Sequence, residues 1–308
     1  MMKYINVLAH RSYVRRVMSK LPVANTPIPA QRLHLEKITK NATIPSTVSV
    51  SDTTLQLAGQ PSINAEWITP ADVNNNQVLL YFHGGGFIVG SKETHRPMVA
   101  HIAKSANTQT LSINYRLAPE HTYPAAHQDC FNAYCWLLNN GYDPQQIILG
   151  GDSAGAFFVL QTLLEIKLQD MEQPKAAFLL SPLADALHFN GESYVSKRKR
   201  DPWLKADQLP GLVDLYLGNS TDRPGSLSPI NSDLLGFPPI LIHVGEDEIL
   251  LSDSLRLHQQ LQIHGVSSEL IVWPKMWHVF HCMGGKLPQA KQAISQIGDF
   301  IKNLPQYA

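Results

Sequence analysis

A serine framed by glycines is the first feature of the chain that could carry out chemistry. Residues 151–155 read Gly-Asp-Ser-Ala-Gly and directly follow the apolar run 147–149. A Gly-x-Ser-x-Gly pentapeptide between a strand and a helix is the pattern of a nucleophile elbow, which holds the serine on a sharp turn at a helix N-terminus. Glycine is needed on both sides because larger side chains would collide with the neighbouring strand and helix. The pattern predicts that Ser153 is a nucleophile.

A second glycine cluster lies upstream of this serine. Residues 83–86 read His-Gly-Gly-Gly and directly follow the apolar run 78–82. Acyl transfer passes through an oxyanion that preorganised backbone N–H groups stabilise, and glycines let the main chain approach that oxygen. A phosphate-binding loop would instead need a lysine at Walker spacing or a G-x-G-x-x-G pattern, and neither is present. The segment therefore predicts an oxyanion-stabilising loop.

A serine hydroxyl needs a base, which is usually a histidine oriented by a carboxylate. In the fold that carries this elbow the chain order is serine, acid, histidine. His278 lies just after the last strand-like run and is the preferred base, with His281 as the second choice. Three acidic residues follow the preceding strand-like run: Glu246, Asp247 and Glu248. A zinc site at the two histidines is not expected, because no carboxylate or cysteine cluster surrounds them.

The elements that would position these residues alternate along the chain. The strand-like apolar runs are 78–82, 110–114, 147–151, 176–180, 240–244 and 270–273. The helix-length segments between and after them include 125–140, 154–168, 252–264 and 286–303. Fully apolar strands that alternate with helices are typical of a mostly parallel central sheet flanked by helices on both faces. The predicted fold class is therefore α/β.

Two segments depart from this alternation. Residues 4–21 have helical spacing, and we expect a helix packed on its own domain rather than on a membrane surface. The apolar face of that helix comprises Val7, Val14, Met18 and Leu21. Residues 183–235 contain several prolines and no strand-like run, which indicates a helical insertion over the carboxyl edge of the sheet. The basic run 197–200 within it is interpreted as a solvated loop rather than as a binding patch.

Composition limits the classes of partner. The 308 residues suffice for one large α/β domain, and 25 basic residues balance 25 acidic ones, so no global field attracts nucleic acid. No apolar stretch is long enough for a transmembrane helix or for the core of a signal peptide, so we expect no stable membrane insertion. The three cysteines are expected to be reduced, which favours a cytoplasmic location.

Four sequence blocks resemble the bacterial hormone-sensitive-lipase-like family of α/β hydrolases, in its subgroup with a GDSAG elbow. The blocks are residues 83–87, 115–120 with 123–126, 151–155, and 238–253. The resemblance implies a single α/β-hydrolase domain over residues 1–308, with cap segments at approximately 1–45 and 183–235. It also implies an esterase that needs neither cofactor nor metal.

The resemblance implies roles for individual residues as well. The backbone amides of Gly85, Gly86 and Ala154 would form the oxyanion hole. In this family the acid usually stands as Asp three residues after a small residue that ends the strand. That position is Glu248 here, with Asp247 as the alternative. The implied triad is Ser153, Glu248 and His278. The implied reaction is hydrolysis of small, short- to medium-chain carboxylic esters through an acyl-enzyme on Ser153.

Other functions are compatible with parts of this pattern. Plant hormone receptors resemble the family but lack the catalytic histidine, so the presence of His278 argues against a receptor. An amidase, peptidase or lactonase would use the same triad, and the shape of the pocket would decide between them. Phe87 and Phe157 adjoin the two glycine motifs, and we expect them either in that pocket or in the core. The expected partner is a small-molecule ester, and the oligomeric state, a homodimer included, stays open.

Overall fold

An eight-stranded sheet forms the centre of the computed structural model, which describes residues 2–18, 26–74, 76–218 and 220–305. The strands are β1 (Val48–Leu55), β2 (Ile63–Pro70), β3 (Val78–Phe82), β4 (Gln109–Asn114), β5 (Ile147–Asp152), β6 (Ala176–Leu180), β7 (Ile240–Gly245) and β8 (Ser268–Trp273). Their order in space is β1-β2-β4-β3-β5-β6-β7-β8. Strands β3 to β8 run parallel, whereas β2 is antiparallel to both of its neighbours. The carboxyl ends of six parallel strands therefore meet at one edge, where α/β sheets bind their ligands.

The six predicted strands are all confirmed, but the sequence pattern missed β1 and β2. Strand β1 is half exposed and rich in polar residues. Strand β2 carries Glu66, which is fully buried and breaks the apolar pattern. The Glu66 carboxylate accepts a hydrogen bond of 2.6 Å from Arg96 and lies 3.7 Å from the amine of Lys92. A buried charge is tolerated when it is paired in this way.

Helices cover both faces of the sheet. They are α1 (Met2–Met18), α2 (Ile28–Thr39), α3 (Lys92–Ala106), α4 (Ala125–Asn139), α5 (Ala154–Leu168), α6 (Glu192–Ser196), α7 (Leu209–Leu217), α8 (Leu251–Ile263) and α9 (Pro288–Lys302). Helices α3 and α9 pack with Leu79 and Tyr81 of β3, whereas α4, α5 and α8 pack with Leu80 and Phe82 on the other face. Successive residues of a strand point to opposite faces, so the apolar run of β3 fills two cores.

The N-terminal helix packs on its own domain, as its periodicity predicted. Val7 and Val14 of α1 are buried against a cluster that includes Trp273, Trp277 and Phe280. Leu21, which was expected on the same face, lies outside the described residues. Pro29 lies in the first turn of the next helix, α2, where its fixed φ angle suits a helix.

The insertion at residues 183–235 contains α6, α7 and short 3₁₀ turns, and its described residues form no strand. The basic run 197–200 lies largely in an exposed turn, as expected. The thiols of Cys130, Cys135 and Cys282 are free. Within the described ranges, no helix has both the length and the apolar character that a bilayer crossing requires.

Candidate active site

Ser153 lies on a strained turn between β5 and α5. Its backbone angles are φ 54° and ψ −118°, a combination that is rare for a residue with a side chain. The Ser153 amide donates a hydrogen bond of 2.9 Å to the carbonyl of Leu180, which fixes the turn against β6. A Cβ atom on Gly155 would lie 2.0 Å from the carbonyl oxygen of Phe82, so only glycine lets α5 approach β3 this closely. The local geometry is that of a nucleophile elbow.

A continuous chain of polar contacts leads from this serine to a carboxylate. His278 Nε2 lies 2.9 Å from Ser153 Oγ, and His278 Nδ1 lies 2.7 Å from Glu248 Oε2. A carboxylate oxygen accepts hydrogen bonds, so Nδ1 carries the ring proton and Nε2 presents its lone pair to the serine hydroxyl. The structure therefore brings together Ser153, His278 and Glu248, in an arrangement that can remove the hydroxyl proton.

The electrostatics of His278 suit a base that becomes charged. Burial lowers the pKa of His278, but the hydrogen bond to Glu248 and the charge of Glu248 outweigh burial, so the pKa is raised above its usual value. Glu248 is fully buried, and its Oε1 accepts from the Ser181 hydroxyl at 2.9 Å and from the Gly245 amide. These donors hold the carboxylate in one orientation toward His278.

The three neighbouring acidic residues have three different partners. Asp247 forms ion pairs with Arg11 at 2.6 Å and Arg200 at 2.9 Å. Burial raises the pKa of Asp247, but the two guanidinium groups outweigh this effect and hold the pKa below its usual value. Glu246 accepts a hydrogen bond of 2.8 Å from the amide of Lys275. Among the described residues, Glu248 is thus the member of this trio that contacts His278.

The second candidate base, His281, has a different partner. Its Nε2 lies 3.3 Å from Nδ1 of His243, and both rings are fully buried. Burial lowers the pKa of His243 to about 3 and lowers the pKa of His281 well below its usual value. The two histidines form a neutral stacked pair that also contacts Trp273 and Phe280. This environment is that of a core histidine.

The loop 83–86 approaches Ser153 from β3. The amides of Gly85 and Gly86 donate to no acceptor in the described part of the chain. Ala154 is the first residue of α5, so its amide has no acceptor within the helix. A helix N-terminus carries partial positive charge, which favours an anion beside it. The three amides predicted for an oxyanion hole thus lie on this loop and at the start of this helix.

Residues 115–120 hold the loop 83–86 in place through hydrogen bonds and ring stacking. These contacts give a structural role to a sequence block whose function the sequence did not reveal. The Tyr115 hydroxyl donates 2.6 Å to the carbonyl of His83, and the two rings stack with centroids 4.2 Å apart. The amide of Ala118 donates 3.0 Å to the carbonyl of Phe87. Arg32 of α2 donates to the carbonyls of Ile88 and Ala118 at 2.8 and 3.0 Å. The block is thus a platform for the loop.

Aromatic and aliphatic side chains fill the space next to the loop. Phe87 is buried, and its ring stacks on that of Tyr216 with centroids 4.4 Å apart. The rings of Phe157 and Phe158 meet Phe87 edge to face. Leu212 of α7 lies close to Gly86: a Cβ on this glycine would be 3.0 Å from its Cδ1. Phe87 and Phe157, whose role the sequence left open, therefore belong to the buried core.

Sequence reasoning missed three residues next to the triad contacts. Ser181 bridges two loops, because its hydroxyl donates to Glu248 and accepts from the Val279 amide at 3.0 Å. Asp201 of the insertion is fully buried and accepts from the amide of Ile249 at 3.3 Å. Burial raises the pKa of Asp201 to about 6. The ring of Trp203 meets that of His278 edge-on, with centroids 6.3 Å apart. Only Ser181 had a sequence signal, as a polar residue directly after a fully apolar strand.

The described residues contain no group of three or more His, Cys, Asp or Glu side chains that could hold a metal ion.

Comparison with known proteins identifies the family. A sequence model described as alpha/beta hydrolase fold matches residues 79–282. The chain belongs to this family. This hydrolase is 35% identical to an acetyl-hydrolase of Streptomyces hygroscopicus over 77% of the chain and 79% of that protein. It is 36% identical to an esterase of Acinetobacter venetianus over 76% of the chain and 77% of that protein.

Solved structures agree with this assignment. The hydrolase superposes on an esterase from the bacterial hormone-sensitive lipase family with a TM-score of 0.90 and 34% identity, covering 97% of this chain and 98% of the other. It superposes on EstE5 soaked with p-nitrophenyl butyrate with a TM-score of 0.89, at the same identity and coverage. The resemblance inferred from the four sequence blocks is confirmed, and the chain is a hydrolase of the carboxylesterase class.

Proposed function

We propose that this protein hydrolyses small carboxylic esters, with Ser153 as nucleophile, His278 as general base and Glu248 as the acid that orients the histidine. The observation that carries the proposal is the unbroken contact chain from Ser153 Oγ through both ring nitrogens of His278 to Glu248, with distances of 2.9 and 2.7 Å. A serine hydroxyl becomes a useful nucleophile when such a base takes its proton.

The proposed reaction proceeds in two halves. Ser153 Oγ attacks the ester carbonyl while His278 Nε2 accepts the hydroxyl proton, and Glu248 stabilises the resulting imidazolium. The amides of Gly85, Gly86 and Ala154 hold the oxyanion of the tetrahedral intermediate. His278 returns the proton to the departing alcohol, which leaves an acyl-enzyme. Water, activated by the same histidine, then releases the carboxylic acid and restores Ser153.

The surroundings of the loop favour a small acyl group. Leu212 packs on Gly86, and the stacked rings of Phe87 and Tyr216 occupy the space beside it. We therefore propose short- to medium-chain esters as substrates. The similar structure of EstE5 was soaked with p-nitrophenyl butyrate, an ester with a four-carbon acyl group, and this acyl length lies within the proposed range.

We also propose that the N-terminal segment (approximately residues 1–45) and the insertion (residues 183–235) act as a cap within one domain. Arg11 of the first segment and Arg200 of the second bind the same carboxylate, Asp247. A cytoplasmic location stays a prediction from the sequence, and the oligomeric state, a homodimer included, stays open.

The test is hydrolysis of p-nitrophenyl esters from acetate to palmitate by the wild-type protein and by Ser153→Ala. We expect turnover of the short esters and a loss of at least about 10⁴-fold in kcat for the variant, as for removal of a triad nucleophile. Ser62→Ala, at an exposed position, is the matched control and keeps wild-type rates. Equal turnover by Ser153→Ala, or no ester hydrolysis by folded wild-type protein, would contradict the proposal.

A further inference from the structure

Asp152 carries a buried carboxylate that no step of the proposed reaction uses. Its residue is 2% exposed, although it directly precedes Ser153. One carboxylate oxygen, Oδ1, accepts from the Tyr81 hydroxyl at 2.8 Å and from the Gly84 amide at 3.1 Å. The other, Oδ2, lies 3.5 Å from Nε2 of His95 on α3. Asp152 therefore links the turn that carries Ser153 to the loop that carries the proposed oxyanion donors.

This link is tight. A Cβ atom on Gly84 would lie 2.2 Å from Asp152 Oδ2, so a side chain at position 84 and the carboxylate at position 152 exclude each other. The distance between the serine turn and the loop 83–86 is therefore set by this carboxylate. A displacement of about 1 Å at reacting groups can cost about 10²-fold in rate, so such a link matters for catalysis.

The contacts of His95 indicate that both of its ring nitrogens carry protons. Nδ1 lies 3.2 Å from the carbonyl oxygen of Ser91, which can only accept a hydrogen bond. Nδ1 also lies 2.9 Å from Thr94 Oγ1, which accepts a hydrogen bond of 2.9 Å from the Ser91 amide. The Ser91 carbonyl therefore favours a protonated Nδ1. Nε2 faces the carboxylate of Asp152, and this contact is attractive only if Nε2 is protonated too.

The charge balance agrees with this assignment. Burial lowers the pKa of His95, but the charge of Asp152 outweighs burial and the pKa is raised. Burial raises the pKa of Asp152, but His95 and the Tyr81 hydroxyl outweigh burial and the pKa is lowered. Each partner thus favours the charged form of the other.

We propose that Asp152 and protonated His95 form a buried ion pair that positions the loop 83–86 and neutralises a charge that would oppose the oxyanion. The inference rests on the proposed function, because it assigns the pair to the oxyanion hole of that reaction. Both residues act through the loop and are positioning residues. A bare carboxylate on the residue next to Ser153, bonded to the loop of the oxyanion donors, would raise the energy of the transition state, and His95 removes that effect while it stays protonated.

The other ionisable groups that face the pair do not compete with His95 near neutral or alkaline pH. Burial lowers the pKa of His83 to about 3 and raises those of Tyr81 and Tyr115 well above the usual value. Cys282 is an exposed residue, so the pH profiles are measured in a Cys282→Ser background, which removes its thiol. Glu93 acts on His83; burial opposes its ionisation, but Lys92 outweighs burial and the pKa of Glu93 falls to about 2. The charge of Asp152 also acts on His278. Because His278 must be neutral to act as the base, its titration affects the acid side of the pH profile of kcat and not the alkaline side. Loss of the His95 proton therefore appears as a fall in kcat on the alkaline side.

The experiment measures kcat and KM for p-nitrophenyl acetate across the neutral and alkaline range, with the uncatalysed rate subtracted. His95→Gln removes the positive partner of Asp152 throughout the neutral and alkaline range that is measured. We expect its kcat to be about tenfold lower near neutral pH, its KM to be within about twofold of wild type, and its alkaline fall to be absent. Asp152→Asn keeps an oxygen for Tyr81 and Gly84 and removes the charge. It should retain more kcat than His95→Gln and should also lose the alkaline fall.

His101→Gln is the matched control, since His101 lies on the same helix and contacts neither Asp152 nor the loop 83–86 among the described residues. We expect a wild-type profile from it. A second readout is independent of activity: the ¹⁵N shifts of the His95 ring should show two protonated nitrogens, with a pKa above that of His101, and this elevation should disappear in Asp152→Asn. An unchanged alkaline limb in His95→Gln, or a His95 pKa no higher than that of His101, would overturn the ion pair. Inactive wild-type protein with an elevated His95 pKa would overturn the proposed function instead.

Discussion

The two halves of the candidate site are held in different ways. The nucleophile half, with Ser153 and the loop 83–86, is tied down by Tyr81, Asp152 and Tyr115, which belong to the sheet and the segments next to it. The acid–base half, with Glu248 and His278, is held by Ser181 and also by residues from distant segments. Those residues are Arg11, Arg200 and Asp201.

This difference indicates where the site depends on the N-terminal segment and on the insertion at residues 183–235. In the nucleophile half, short and buried hydrogen bonds within the sheet and its adjoining segments fix the positions of the residues. The acid–base half adds ion pairs between Asp247 and two arginines whose side chains are 17% and 59% exposed. Exposed ion pairs are weak and screened by salt, whereas buried hydrogen bonds are not. Changes to each half should therefore differ in size and in salt dependence.

The largest effect is expected from replacing Glu248, the carboxylate that contacts His278 in the acid–base half. Glu248→Gln removes the charge that fixes the tautomer and stabilises the imidazolium, and kcat should fall by about 10⁴-fold. Activity needs neutral His278, so kcat/KM falls as pH drops through the raised pKa of His278. Without Glu248 that pKa is lower, so the acid limb should move to lower pH. Glu246→Gln is the control. A loss of less than about tenfold would count against Glu248 as the acid.

A smaller effect is expected at Ser181, which joins the two loops of the same half. Ser181→Ala removes the donor to Glu248 and the acceptor of the Val279 amide. Leaving these buried groups unpaired should lower the free energy of unfolding by about 1–3 kcal/mol. The resulting freedom of Glu248 should lower kcat by about 10–100-fold. Urea unfolding and ester kinetics measure the two effects, with Ser267→Ala, an exposed serine, as the control. Wild-type kcat in Ser181→Ala would show that the carboxylate keeps its orientation without this bridge.

The matching change in the nucleophile half is Tyr115→Phe. It leaves the carbonyl of His83 without its donor, so we expect about 1–2 kcal/mol of destabilisation. The ring stack on His83 remains, so kcat should fall only by about threefold. Salt should not alter either value, because the bond is buried. Tyr13→Phe, at a 57% exposed position, should change neither stability nor kcat. A salt-dependent effect of Tyr115→Phe would contradict the contrast between the two halves.

The smallest effects are expected from the arginines that bind Asp247. Arg11→Ala should exceed Arg200→Ala, because Arg11 is more buried and also donates to the Lys275 carbonyl. Arg11→Ala should cost at most about 1 kcal/mol and Arg200→Ala less, and salt should reduce the difference from wild type. Asp247 has a lowered pKa, so its pairs contribute above the usual value of 3.8 and are lost as pH falls through the lower, folded-state pKa. Thermal unfolding at low and high salt measures this, with exposed Arg198→Ala as the control. Equal effects at both salt concentrations would show that the arginines act through packing.

Much of the architecture could be predicted from the sequence because strands β3 to β7 are buried along nearly their whole length, and β8, although partly exposed, keeps the apolar run 270–273. The elbow and the glycine loop were recognisable since their backbones demand glycine. Strand β1 was not found because it is half exposed and polar. Strand β2 was not found because the buried carboxylate of Glu66 is stabilised by Arg96, which lies 30 residues further along the chain. A pattern confined to one segment cannot include a partner supplied by another.

The same limit applied to the site. The sequence motifs alone did not decide which of three neighbouring acidic residues orients the histidine. In the structure, Arg11 and Arg200, which lie far away in the chain, bind Asp247 and so distinguish it from Glu248. The role of residues 115–120 was equally hidden, since it consists of contacts with the loop 83–86 that appear only once β3 and β4 are neighbours. Ser181 and His95 belong to no recognisable sequence motif, because each acts on a partner that is distant in the sequence, Ser181 through a hydrogen bond to Glu248 and His95 through its proposed charge beside Asp152.

The close approach of Gly84 and Asp152 has a consequence for laboratory evolution of this protein. The two positions are 68 residues apart in the chain, yet an added methyl group at one occupies the space of an oxygen at the other. The same methyl group would also lie 2.8 Å from the backbone oxygen of Asp152, an atom that every residue at position 152 carries. A library that varies positions 84 and 152 together will therefore still lose most substitutions at position 84, and glycine is best kept there while other positions are varied.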